Sequence, residues 1–221
     1  MNLKNLKYLF FLLMAVVTLS SCSETSEDES ASEYANWQSR NDEYFDKVLA
    51  NAKTASGWTT FLTYSLDNQT GNKDANGNVY QPTYANNEYI AVEKLQNVME
   101  ADGVIPTRIS PLFTDSVRVA YQGHLMPTTE HPDGYCFDGT FEESSYNKET
   151  SASTKFLTSG LVDGFSTALT HMQLGDHWIV YIPANLGYGS DTSKSAIPAY
   201  SMLRFELVLL GVKKGNTWIV K

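Results

Sequence analysis

Few side chains in this sequence combine the type and the setting that chemistry requires. Tyr188 stands between Gly187 and Gly189, whose backbone freedom lets a loop present the phenol. Asp138 follows Phe137 directly. The four histidines, His124, His131, His171 and His177, lack the spacing of a metal site. His171 falls on a helical stretch, as a surface or hydrogen-bonded residue. No glycine-rich loop after a strand cradles a phosphate, and no G-x-S-x-G turn presents a serine nucleophile. Gly187-Tyr188-Gly189-Ser190 also lacks the lysine of a phosphate cradle. Aromatic residues with a few polar groups remain, the makings of an apolar binding pocket.

The elements that would build this pocket lie between Gly160 and Phe205. Phe165, Ala168, Leu169 and Met172 recur at helical spacing over 164–172. Leu174-Gly175-Asp176 turns the chain into a β-rich run through Trp178, Val180 and Ile182, which Pro183 stops. A loop with Tyr188 and Ile197-Pro198 precedes a last strand over 202–212. A helix across a sheet, with this loop over the open end, describes a lidded apolar pocket.

Upstream, strands are expected over 89–97 and 116–126, with a loop at 127–135 and a polar insertion over 142–153. Strands flanking one helix in the order β, β, β, α, β, β predict an α+β domain, an antiparallel sheet wrapped over the helix. Tyr34 to Ala55 reads as a helix ended by Gly57, and Trp58 to Leu66 as strand-like. The Asp/Asn/Gly-rich stretch 67–78 lacks calcium-loop spacing and reads as a surface turn.

The runs Val117–Gly123, Phe137-Asp138, Leu161–Phe165, Met172–Asp176, Ile182-Pro183, Gly187-Tyr188-Gly189, Ile197-Pro198 and Leu203–Leu207 fall in one order. In that order, over roughly 88–213, they resemble the FKBP-type peptidyl-prolyl cis/trans isomerases. The resemblance implies an FKBP-like twisted antiparallel sheet around a single short helix, here with an N-terminal helical extension. It implies rotation about X-Pro bonds without a cofactor or a metal. Carried over residue by residue, it assigns catalytic roles to Tyr121, Asp138 and Tyr188. The walls for a proline-containing segment would be Phe137, Phe156, Leu161, Val162, Phe165, Ile197 and Phe205.

Three positions depart from the family pattern. The arginine that commonly follows the aspartate by five residues is replaced by Glu143. Thr154 stands where an aromatic wall is usual, and Ala196 where a bulkier aliphatic is. A weak isomerase is expected, or alternatively a non-catalytic peptide-binding or holdase module; a structural surface lipoprotein is a third, weaker reading.

Residues 1–21 have a leader's basic start at Lys4 and Lys7 and an apolar core too short to span a bilayer. Leu19-Ser20-Ser21-Cys22 resembles a lipoprotein cleavage site and implies a lipid on Cys22. Residues 22–33 form an acidic, serine-rich tether, either a spacer or a sorting signal. Residues 34–85 are then an extension, 86–213 the isomerase domain and 214–221 a tail. If Cys22 carries lipid, Cys136 has no intrachain partner, and a small buried filler is expected there. A formal charge of −9, more negative once the leader is removed, argues against nucleic acid. The expectation is a monomer anchored by lipid in the bacterial cell envelope, at the outer membrane.

Overall fold

The computed structural model describes residues 33–220, except 68, 70, 71, 74, 80, 81, 106, 107 and 143. The expected leader, Cys22 and nearly all of the tether lie outside the described residues, as does Glu143. From Asn36 onward the chain forms one compact unit. Its strands are β1 (Trp58–Leu62), β2 (Tyr89–Lys94), β3 (Ser116–His124), β4 (Cys136–Gly139), β5 (Thr154–Leu157), β6 (His177–Ile182), β7 (Leu203–Lys214) and β8 (Thr217–Val220). The two long helices are α1 (Trp37–Ala52) and α2 (Asp163–His171). Among the described residues the strands form one antiparallel sheet in the order β1-β2-β6-β7-β3-β4, with β5 also on β3 and β8 on β7.

Side-chain alternation assigns the faces. Val92, Val180, Phe205 and Gly123 are successive cross-strand partners and share one face. That face carries α2, whose Phe165, Ala168 and Leu169 are buried. The helix approaches closely because Gly164 has no side chain: a Cβ there would sit 2.3 Å from Ile182 Cγ2. Asp163 in the first turn suits the helix dipole. The His171 ring stacks on Phe61 of β1 at 4.2 Å. The stretch expected as an extension thus contributes an edge strand to the sheet, and α1 besides. Of the strand-like run 58–66, only 58–62 is strand, and Tyr64–Asp67 is a helical turn. Likewise, the expected tail pairs through β8 with β7.

The opposite face is covered as well. α1 packs on its β1-β2-β6 side, where its Tyr44 has Tyr181 and Arg204 as neighbours. On its β7-β3 side, Val208, Leu210 and Ala120 form a second apolar cluster with Val98, Phe141 and Tyr146. The polar insertion 142–153 is therefore held against the sheet. Glu206, 4 % exposed, makes this attachment. Its Oε1 accepts from the Tyr146 N–H (2.7 Å) and the Ser145 hydroxyl (2.8 Å), and it lies 2.7 Å from His177 Nε2.

Burial alone would raise the Glu206 pKa, but the bonds from His177, Tyr146 and Ser145 outweigh it and hold the carboxyl below its ordinary value. A carboxyl whose pKa is lower folded than unfolded stabilises above its unfolded value and loses that contribution as pH falls through the folded one. Protection of the Tyr146 amide from hydrogen exchange is therefore expected to fall progressively below about pH 4.3, the unperturbed glutamate value. Glu206→Gln, which keeps an acceptor and loses the charge, is expected to weaken protection at neutral pH and to flatten this acid dependence.

Candidate functional site

The aromatic residues singled out above converge on the α2 face. Phe165, on the first turn of α2, meets Phe205 of β7 edge to face, with ring centroids 4.9 Å apart. Tyr121 of β3 packs edge-on to Phe165 at 6.0 Å and lies 5.7 Å from Phe156 of β5. Phe137 of β4 closes the group against Phe205 at 5.6 Å. Such edge-to-face pairs are favoured beyond the area they bury. The rings meet because Gly123 leaves room, as a Cβ there would lie 2.6 Å from both Phe137 and Phe205.

These rings border a cavity of about 500 Å³, completed by Asp138, Gly160, Leu161, Val162, Tyr188 and Lys194. Leu161 and Val162 are held by the turn before α2. There the Thr158 amide and hydroxyl donate to Asp115 O (3.0 and 2.9 Å), and the buried Ser166 hydroxyl donates to Thr158 O (2.7 Å).

The polar groups sit at the rim. The Tyr121 hydroxyl donates to Asp138 Oδ2 at 2.6 Å, and Asp138 Oδ1 accepts the Gly139 N–H at 2.9 Å. Asp138 lies within β4 opposite Gly123. Burial, then the bond to Asp138 and its charge, push the Tyr121 pKa far up, so the phenol stays a donor. Burial and the charges of Asp138 and Asp191 also raise the pKa of Tyr188. The Tyr188 hydroxyl has no hydrogen-bond partner among the described residues, and neither has the Val162 N–H, just ahead of α2. The site therefore offers an apolar floor, an anchored carboxylate and two open donors.

Of the ten residues expected at the site, nine line the cavity. Ile197 does not: it is 6 % exposed and packs in the core. The rim on that side is Lys194, whose Nζ lies 5.8 Å from the Tyr188 ring centroid. Sequence reasoning missed Lys194, since a lone lysine in a polar loop carries no signal. Thr154 pairs with Val119 on β5 and stands outside the cavity lining. Cys136 is a correction, because it is exposed and not a buried filler. It occupies an edge position of β4, with Sγ 3.7 Å from Asp138 O. Two further clefts, of about 410 and 430 Å³, lie among mostly polar residues, with Phe45 and Tyr200 in one and Tyr146 in the other in place of a ring cluster.

Comparison with known proteins gives this geometry a context. Residues 109–210 match the family described as FKBP-type peptidyl-prolyl cis-trans isomerase. The chain is 35% identical over 115 residues to the FKBP-type 22 kDa peptidyl-prolyl cis-trans isomerase of Escherichia coli, covering 52% of this chain and 47% of that one. It is 32% identical over 105 residues to the peptidyl-prolyl cis-trans isomerase Mip of Coxiella burnetii, covering 48% and 40%. Over 108 residues it is 32% identical to the outer membrane protein MIP of Legionella longbeachae, covering 49% and 41%. The chain thus spans about half the length of the curated relatives it matches or less. Among solved structures, FkpA of Escherichia coli aligns with a TM-score of 0.50 at 18% identity, over 80% of this chain and 62% of that one. That likeness shows the shared fold.

Gly123→Ala tests whether the ring arrangement depends on the missing side chain. Overpacking of this kind costs about 1–3 kcal/mol, to be read from chemical denaturation. Binding of a small apolar probe in the cavity is expected to fall together with stability.

Proposed function

We propose, from the FKBP-type domain at residues 109–210, that the protein is a peptidyl-prolyl cis/trans isomerase acting on exported polypeptides in the cell envelope. The observation that carries the reading is the carboxylate of Asp138, held at 2.6 Å by Tyr121 on the rim of an aromatic cavity. Rotation about a peptide bond faces a barrier of about 18–20 kcal/mol because of amide resonance. A protein lowers that barrier by binding the twisted amide better than either planar form. The twist localises the nitrogen lone pair and relieves the carbonyl of conjugation, so a dry apolar surround favours it.

Each side chain has a role in this scheme. Phe165 is the floor for the proline ring, with Phe205, Phe137 and Phe156 as walls and Leu161 and Val162 at the edge. The Val162 N–H and the Tyr188 hydroxyl donate to carbonyls of the bound segment and fix its path. Asp138 faces the rotating carbonyl, whose dipole it orients, and Tyr121 keeps the carboxylate in place. None of these steps breaks a covalent bond or uses a nucleophile. Ile197, buried behind the loop, supports the lid from within.

The test is the cis-to-trans relaxation of a proline test peptide with the purified protein. Tyr188→Phe removes one hydroxyl, worth roughly 0.5–1.5 kcal/mol, and is expected to slow turnover by up to about tenfold. Asp138→Ala is expected to cost more rate while barely moving the melting temperature. Phe165→Ala should harm both, since losing a buried aromatic costs about 3–5 kcal/mol. No rate above background from folded wild type would remove the enzyme reading. Unfolding by Tyr188→Phe or Asp138→Ala would make these groups structural.

The envelope assignment rests on the leader and Cys22, with the outer-membrane Mip relative in support. Cys22→Ser is expected to abolish fatty-acid labelling and to release the protein from the membrane fraction. Equal labelling and partitioning of wild type and variant would refute the lipid anchor.

A further inference from the structure

The loop 183–202, which brings Tyr188 and Lys194 to the cavity, is closed by its own backbone. The Gly189 N–H donates to Ala184 O at 2.8 Å, and the Tyr200 N–H donates to Gly189 O at 2.7 Å. Tyr200 has φ +61°, a left-handed conformation that a bulky residue adopts only when its surroundings impose it. The residues just after it are held from outside the loop. The buried Trp37 Nε1–H donates to Ser201 Oγ at 2.8 Å, and the Ser201 hydroxyl donates to Pro198 O at 2.6 Å. One turn further along α1, Asn41 Oδ1 accepts the Met202 N–H at 2.9 Å, while its Nδ2 donates to Trp37 O at 2.7 Å.

Asn41 is 1 % exposed. A buried asparagine inside a helix is costly unless its amide is used, and here both ends are. The Met202 N–H precedes β7, whose ladder begins at Leu203, so without Asn41 it would be buried and unpaired. The connection from Asn41 to Tyr188 is short: Met202, Ser201 and Tyr200 in sequence, then the hydrogen bond to Gly189, the neighbour of Tyr188.

We propose that Trp37 and Asn41 are positioning residues for the site, and that α1 braces the exit of the loop so that Tyr188 is presented at a fixed height over the cavity. The inference rests on the isomerase reading and extends it to a segment outside the matched residues 109–210. A helix that ends 86 residues before Asp138 in sequence thereby enters the determinants of turnover.

The experiment uses the full-length protein with a proline test peptide. Asn41→Leu fills the same space without an acceptor. Asn41→Asp restores the acceptor for Met202. Trp37→Phe keeps a ring and loses the N–H, a milder change if Asn41→Leu folds poorly. Leu210→Ala, in the second apolar cluster on the opposite face of the sheet, controls for lost stability alone. Asn41→Leu and Trp37→Phe are expected to lower kcat/KM about three- to tenfold in folded protein. Asn41→Asp should stay within about twofold of wild type, and so should Leu210→Ala. In a Tyr188→Phe background, Asn41→Leu should cost less than about twofold more, since the two changes act through one group.

Losses that multiply in full with Tyr188→Phe would overturn the proposal, as would unchanged kcat/KM in folded Asn41→Leu and Trp37→Phe. If the wild type turns over no peptide, the isomerase reading fails, and the brace is judged by hydrogen exchange. The Gly189 and Tyr200 amides should then exchange at least about tenfold faster in Asn41→Leu or Trp37→Phe but not in Leu210→Ala. Unchanged exchange would overturn the brace itself.

Discussion

The structure depends on one constraint: β7 is buried on both faces over most of its length. Phe205, Leu207 and Leu209 point to one side, and Glu206, Val208 and Leu210 to the other. An antiparallel sheet with one solvated face would show polar residues at every second position. Here each face needs a cover, and the covers account for the rest of the fold. On one side α2 lies across the strands and approaches through Gly164. On the other, α1 and the insertion 142–153 divide the surface, the insertion tied down by Glu206. The cavity is where the first cover stops short: Phe165 and Phe205 face it, and Tyr121, Phe137 and Phe156 form walls around the gap.

The polar chemistry of the site follows from its position at the edge of that gap. Asp138 lies on the exposed strand β4, with one oxygen on the Gly139 N–H and the other on the Tyr121 hydroxyl. Tyr121 joins the two regions, its ring among the buried aromatics and its hydroxyl at the rim, and so fixes the carboxylate beside the aromatic cavity. In the proposed isomerisation, which costs amide conjugation, this is a productive division of labour. The floor offers an apolar surface, and the rim supplies an oriented field.

Much of this was legible in the sequence because the signals were local. The periodicity of Phe165, Ala168, Leu169 and Met172, the alternation through Trp178, Val180 and Ile182, and the glycines around Tyr188 each specify a short piece of backbone. The ordered motifs then bring nine of the ten expected residues to one cavity. What escaped notice depends on long-range pairing. Nothing within Trp58–Leu62 says that it will find β2, and its Phe61 gains a purpose only beside His171 and Trp178. The apolar character of Ile197 fits a pocket wall and a core position equally well. Only the tertiary placement of the loop separates the two, putting Ile197 inside and Lys194 on the rim. Cys136 fails for the same reason: its type favours burial, but its strand runs along the outer edge of the sheet.

The segment ahead of residue 109 is where the family model and the physical reading diverge most. That model covers residues 109–210 and taken alone would leave α1 and β1 as appendages. The hydrogen bonds do not allow this. Trp37 and Asn41 bond to Ser201 and Met202 through buried groups more than 160 residues apart, and without α1 the buried Met202 N–H would lose its acceptor. Unpaired buried donors cost about 1–3 kcal/mol apiece, while a whole domain is stable by only about 5–15 kcal/mol. The segment therefore belongs to the folding unit. Since its buried contacts fall on the strand entry just below the loop, its influence reaches the rim of the cavity before any other functional surface.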